Sequence, residues 1–86
     1  MWYVYMVECS NGSLYTGATN DVENRLEKHN SGRGALYTKM RSPVKLVYQE
    51  SCVTKSVALS REYQIKSWPR AKKLVLISSD KSKRIE

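Results

Sequence analysis

The turn signal Asn11-Gly12 stands between two segments rich in aromatic and β-branched residues, running from about Trp2 to Glu8 and from Leu14 to Thr19. A glycine-containing turn flanked in this way specifies a β-hairpin. Side chains alternate along a strand, so the turn also decides which of them share a face. The segments carry Tyr3-Val4-Tyr5 and Tyr15-Thr16-Gly17. A two-residue Asn11-Gly12 turn pairs Ser10 with Ser13 and sends Tyr5 and Tyr15 to opposite faces. A three-residue Ser10-Asn11-Gly12 loop, with Gly12 left-handed as a bulge, pairs Val7 with Tyr15 and Tyr5 with Gly17. Both tyrosines then share one face, and Gly17 leaves room beside Tyr5. Against this stands coincidence, since the chain has six tyrosines and strands favour them.

Beyond the hairpin, Asn20 or Asp21 can cap a helix through about His29, with Glu23 available for a capping-box contact and Gly32 just past its end. The stretch from Ser31 to Pro43 has two glycines, Arg33, Lys39 and Arg41 without a clean period, and reads as a basic loop. The alternating run Val44 to Glu50 reads as a third strand. Thr54 can cap a second helix to about Ser67, and Pro69 suits the first turn of a third. The apolar run Leu74-Val75-Leu76-Ile77 of that third helix is expected to close the core. This order predicts an α+β domain: a small three-stranded antiparallel sheet with about three packed helices. Residues 1–77 form it, and a charged tail follows from Ser78 to Glu86.

With 86 residues, a second domain has no room. Fifteen Lys and Arg against eight acids give a net charge of +7, which favours a polyanionic partner. The apolar start, Met1 to Val7, is too short to span a bilayer and runs into Glu8, so neither a signal peptide nor a membrane segment is expected, and the protein is read as cytoplasmic. Cys9 and Cys52 lack metal-ligand spacing and are read as reduced structural thiols at strand ends. A bridge between them requires the first and third strands to be neighbours.

Helical periodicity isolates the chemistry. Val22, Arg25, Leu26 and His29 follow the spacing of an inward stripe, although two of the four are polar. Taken singly, Arg25 can bend out over its apolar stem and His29 can be an ordinary satisfied core residue. On the second helix, at about 100° per residue, Val57, Ala58, Leu59, Ile65 and Trp68 define an apolar arc with Glu62 inside it. A pair with Lys66 one turn later explains Glu62 without function. A sheet-facing acid is also what a single magnesium site needs. Arg61 lies in the same arc, so this helix tolerates a long charged side chain at its edge.

The ordered set Tyr3-Val4-Tyr5, Tyr15-Thr16-Gly17, Arg25-Leu26-Glu27-Lys28-His29-Asn30 and Glu62 resembles the GIY-YIG nuclease domain, in particular its small stand-alone bacterial members, over nearly the whole chain. Tyr3 replaces the first Gly, Val4 the Ile and Thr16 the second Ile. The latter two keep strand character, while Tyr3 adds bulk at the sheet's edge.

The resemblance implies hydrolysis of phosphodiester bonds in DNA with Mg2+ or Mn2+ as cofactor, and a role in repair or recombination follows from it by extrapolation. It implies catalytic roles for Tyr5, Tyr15, Arg25, His29 and Glu62. Glu62 holds the metal, Arg25 stabilises phosphoryl charge, and the tyrosines orient or deprotonate water. An unperturbed phenol titrates near about 10, so a base role needs Arg25 or the metal to lower that value. His29 serves as relay or substrate contact. Lys28, Arg33, Lys39 and Arg41 could track nucleic-acid phosphates. The alternative is a non-catalytic nucleic-acid-binding module that retains the scaffold.

Overall fold

The computed structural model describes residues 1–30 and 43–79. Three strands, β1 (Trp2–Glu8), β2 (Leu14–Thr19) and β3 (Lys45–Cys52), form an antiparallel sheet in the order β2-β1-β3. Among the described residues three helices join them: α1 (Val22–Asn30), α2 (Lys55–Lys66) and α3 (Arg70–Ser79). The fold is α+β, as the sequence implies.

The hairpin takes the three-residue alternative. Gly12 N donates to Cys9 O and Cys9 N to Ser13 O, both at 2.8 Å. Gly12 has φ of +87°, a left-handed conformation that glycine adopts without a Cβ penalty. Asn11 Oδ1 braces the loop by accepting from Ser13 N at 3.1 Å. The register is therefore Tyr5 opposite Gly17 and Val7 opposite Tyr15.

β1 is the central strand, and the burial of Val4, Tyr5, Met6 and Val7 in succession shows that both its faces are covered. Val4 and Met6 face α2 and α3, in a core with Tyr48, Cys52, Ala58 and Ile65, against which Leu76 and Ile77 pack. Tyr5 and Val7 face α1, in a second cluster with Cys9 and Val44 and the partly buried Tyr15, Leu26 and Leu46. Between Met6 and Val7 the register against β3 shifts, leaving Val47 as the extra residue of a bulge.

Several local expectations need correction. Asp21, not Asn20, caps α1: its Oδ1 accepts from Asn24 N at 3.1 Å, which puts Glu23 one position short of a capping box. Thr54 does cap α2, accepting from Val57 N at 3.2 Å. Leu74 and Val75 are exposed, so only half of the apolar run in α3 reaches the core. α3 also continues to Ser79, beyond the expected boundary at Ile77. Tyr3 lies on the central strand rather than at the sheet's edge. The first and third strands are neighbours, yet Cys52 sits opposite Trp2 while Cys9 follows Glu8 at the other end of the pair. Seven residues of strand, roughly 23 Å, separate them, far beyond disulfide reach. Both are free and buried, and burial pushes the Cys52 thiol up.

Candidate active site

Because Tyr5 and Gly17 are directly opposed, the Tyr5 ring lies flat across the glycine. A Cβ added at Gly17 would meet Tyr5 Oη at 2.5 Å and Cζ at 2.7 Å. Glycine is required here for space, since its backbone does not occupy the left-handed region. Tyr15, on the same face, is half-buried and Tyr5 wholly buried.

α1 covers this face with its predicted stripe. Val22, Arg25 and Leu26 are half-buried and His29 is fully buried. His29 Nε2 lies 2.9 Å from Tyr5 Oη, and its ring meets the Tyr15 ring edge-on with centroids 5.3 Å apart. Arg25 lies near enough to Tyr5 for its charge to favour the phenolate, while its Nε is buried with no hydrogen-bond partner among the described residues. A buried guanidinium N–H without an acceptor is costly and marks a place where an oxygen ligand would be welcome.

α1 is held by a residue that the sequence pattern left without a role. Asn30 pairs with the Val44 backbone from both ends of its amide, Nδ2 donating to Val44 O at 3.2 Å and Oδ1 accepting from Val44 N at 2.6 Å. This pair of hydrogen bonds imitates a strand pair and joins the end of α1 to the start of β3. Its only sequence signal is an amide side chain at a helix end.

Glu62 reaches the site from the other side of the sheet. The inward stripe of α2 is Ala58, Arg61, Glu62 and Ile65, with Ala58 and Ile65 fully buried. Val57 and Leu59, expected in the arc, are exposed. The two charged residues diverge. Arg61 turns to β3, its Nε donating to Glu50 Oε2 at 3.0 Å while Tyr48 Oη donates to Glu50 Oε1. Glu62, only 17% exposed, pairs with Lys66 at 2.8 Å, and the Lys66 ammonium lies 5.8 Å from the centre of the Tyr15 ring. β2 is an edge strand, so the group wraps around it: tyrosines, Arg25 and His29 on one face, Glu62 and Lys66 from the other. Lys28 is exposed on α1 beside His29. Arg33, Lys39 and Arg41 lie outside the described residues.

Burial dominates the electrostatics. The Tyr5 phenol is pushed up to about 12, mainly by desolvation, with the nearby Tyr15 and Glu62 adding to the rise and Arg25 opposing it. His29 is lowered from its ordinary range by burial and then by the Arg25 charge. At neutral pH the phenol keeps its proton and the imidazole stays neutral. We assign Tyr5 O–H as donor to His29 Nε2, which leaves the imidazole proton on Nδ1. The condition for Tyr5 to act as a base, a lowered pKa, is not met by Arg25.

Among the described residues no three His, Cys, Asp or Glu converge as a metal cage. The donor set at Glu62 nevertheless fits a magnesium-type ion completed by water and substrate phosphate. That carboxylate already stabilises a cation beside Tyr15, the ammonium of Lys66.

This small α+β fold gathers two tyrosines, an arginine and a histidine on one face of its edge strand, with a glutamate from a second helix on the other side. The GIY-YIG catalytic domain matches residues 1–74, and this chain belongs to that family, whose substrate is nucleic acid. It is 62% identical over 76 residues to the UPF0213 protein SSP2268 of Staphylococcus saprophyticus, covering 88% of this chain and 93% of the relative. It is 64% identical to a UPF0213 protein of Staphylococcus aureus over 75 residues, 87% of this chain and 92% of that one. Among solved structures, the UPF0213 protein BH0048 of Bacillus halodurans is 47% identical, with a TM-score of 0.58 over 91% of this chain and 84% of that one. The E. faecalis protein EF2693 is 36% identical, also with a TM-score of 0.58, over 98% of this chain and 86% of the other. Among the described residues no helix is long and apolar enough to cross a membrane.

Proposed function

We propose that this chain is a divalent-metal-dependent endonuclease that hydrolyses phosphodiester bonds in DNA. The observation that carries the reading is the buried Arg25 Nε without an acceptor among the described residues, set beside two tyrosines, a neutral histidine and a half-buried carboxylate. A phosphoryl oxygen supplies the missing acceptor, and charge growing on that oxygen strengthens the bond, which is what transition-state stabilisation requires.

Burial divides the labour. Tyr5 and His29 are 1% and 0% exposed, so they are positioning residues: the Tyr5–His29 bond fixes the imidazole, and the imidazole edge fixes Tyr15. Tyr15, Arg25 and Glu62 are the half-buried members that reach substrate, Tyr15 orienting the attacking water. Glu62 would hold Mg2+ or Mn2+, which when bound polarises the phosphate and steadies the leaving oxygen. Lys28, with Arg33, Lys39 and Arg41, would add phosphate contacts that give affinity without sequence readout. Selection then rests on substrate structure, and repair or recombination is the process in which such an enzyme would act.

The Lys66–Glu62 pair favours a second reading, a nucleic-acid-binding module whose carboxylate has been retired into a salt bridge. Labelled duplex, flap, branched and single-stranded DNAs, incubated with Mg2+ or Mn2+ beside folded Glu62→Ala and Arg25→Ala variants, separate the two. Cleavage lost in both variants is expected. Salt-sensitive binding with no cleavage under either metal overturns the enzyme and leaves the binding module.

A further inference from the structure

Lys66 has two relationships that an ordinary i,i+4 surface pair does not combine. Its ammonium is 2.8 Å from Glu62 Oε2, a carboxylate only 17% exposed, and it hangs 5.8 Å from the centre of the Tyr15 ring. It therefore stands between the acid of one sheet face and the tyrosine of the other, at the edge strand that the site wraps around. The charge of that acid is also felt at Tyr5.

We propose that Lys66 is a built-in competitor for the divalent cation, holding Glu62 in the substrate-free protein and yielding it only when metal and a phosphate arrive together. The inference rests on the metal-dependent reading of Glu62 and deepens it. A carboxylate that already has a cation at contact distance is neutralised, and a second cation brought to the same oxygens meets the repulsion of the first. No cluster of three metal-ligating side chains exists among the described residues to share the load. A substrate phosphate changes the balance by adding negative charge, which ligates the metal and offers the displaced ammonium a new partner. Lys66 is half exposed on a flexible four-carbon stem, so it can swing away without disturbing α2. Cation binding is thereby coupled to substrate binding.

The test is Mn2+ binding to the full chain without nucleic acid, followed by titration calorimetry and by water-proton relaxation. Lys66→Met is expected to tighten Mn2+ by about fivefold or more, the ratio matching an ion pair near the upper end of the surface range. Lys66→Arg keeps the charge and is expected to remain as weak as the parent, and Glu62→Gln combined with Lys66→Met is expected to lose the gain. Equal Mn2+ affinity in Lys66→Met and the parent overturns the proposal, and so does a gain that survives Glu62→Gln. Cleavage measured on the same preparations keeps the two readings apart. Glu62-dependent cleavage with unchanged Mn2+ affinity in Lys66→Met overturns the role of Lys66 and leaves the nuclease standing. Tightened, Glu62-dependent Mn2+ binding in a protein that cuts nothing supports Lys66 and removes the nuclease.

Discussion

Tyr5 Oη and His29 Nε2 lie 2.9 Å apart in a pocket closed to solvent, joining the central strand to α1 across 24 residues of chain. The bond is short in space and long in sequence, so it belongs to the folded state alone. Desolvation holds the Tyr5 phenol at about 12 against 10.0 in the unfolded chain. A raised folded value means that stability is complete below pH 10 and is lost as pH rises toward 12, because the unfolded chain gives up its proton first. The loss is roughly 3 kcal/mol over that window. Urea unfolding at pH 9, 10 and 11 should show this fall in the parent and a shallower one in Tyr5→Phe. Absorbance titration near the phenolate band should show an ionisation near pH 12 that Tyr5→Phe removes.

The acid limb tests the other partner. His29 is lowered in the folded state, so the unfolded chain takes up a proton on this side chain first as pH falls below about 6.5. Stability is therefore full above that value and declines as pH falls below it, until the folded group itself protonates. In His29→Gln the slope of unfolding free energy over this interval should flatten. An unchanged slope would remove the assignment of a neutral, buried imidazole.

Gly17 is predicted to be irreplaceable for a reason specific to its neighbour. In Gly17→Ala the new methyl must displace the Tyr5 ring, at a cost of about 1–3 kcal/mol and with loss of the His29 bond. Tyr5→Phe should not relieve the clash, because Cζ at 2.7 Å and Cε1 at 2.9 Å remain. Tyr5→Val should relieve it, so a double-mutant cycle by thermal unfolding should show strong coupling for Val and little for Phe.

These contacts also show where sequence reasoning reached and where it stopped. Local chemistry was legible: the Asn11-Gly12 turn placed the hairpin and narrowed its register to two alternatives, between which the backbone of the folded chain decides, and the 22-25-26-29 spacing found the buried stripe of α1. On α2 the same reasoning put Arg61 and Glu62 inside the inward arc but drew that arc too wide, because Val57 and Leu59 are apolar yet face solvent. The path around β2 was not legible at all. It follows from the strand order β2-β1-β3, which is set by pairing between β1 and a β3 more than forty residues downstream, and no local pattern encodes such a pairing.

Thr16 fills the place of an apolar residue in the family motif, and its Oγ1 is buried without a hydrogen-bond partner among the described residues. Leaving such a hydroxyl unpaired costs on the order of 1 kcal/mol or more. Thr16→Val, close to it in shape, should raise stability by about 1 kcal/mol and the melting temperature by about 4–8 °C. Calorimetry of the two proteins decides it: a melting temperature that falls would mean that the hydroxyl has a partner worth keeping.

The Arg61–Glu50 pair should matter more than a surface ion pair, because its side chains are only 28% and 25% exposed and Glu50 also accepts from Tyr48. Exposed pairs contribute about 0.2–1 kcal/mol, whereas breaking a buried one costs about 3–5 kcal/mol, so Glu50→Ala is expected to fall between, near 2 kcal/mol. Much of that cost comes from the donors left behind, and Glu50→Gln, which keeps an acceptor, should recover part of it. Arg61 precedes Glu62 on α2, and its bond to Glu50 ties that turn of the helix to β3. Glu50→Ala should therefore lower Glu62-dependent metal binding as well as stability, and Glu50→Gln should largely preserve both. Chemical unfolding and Mn2+ titration of the same two variants measure the pair of effects, and a Glu50→Ala protein that binds metal as tightly as the parent would show that α2 keeps its rotation without this clamp.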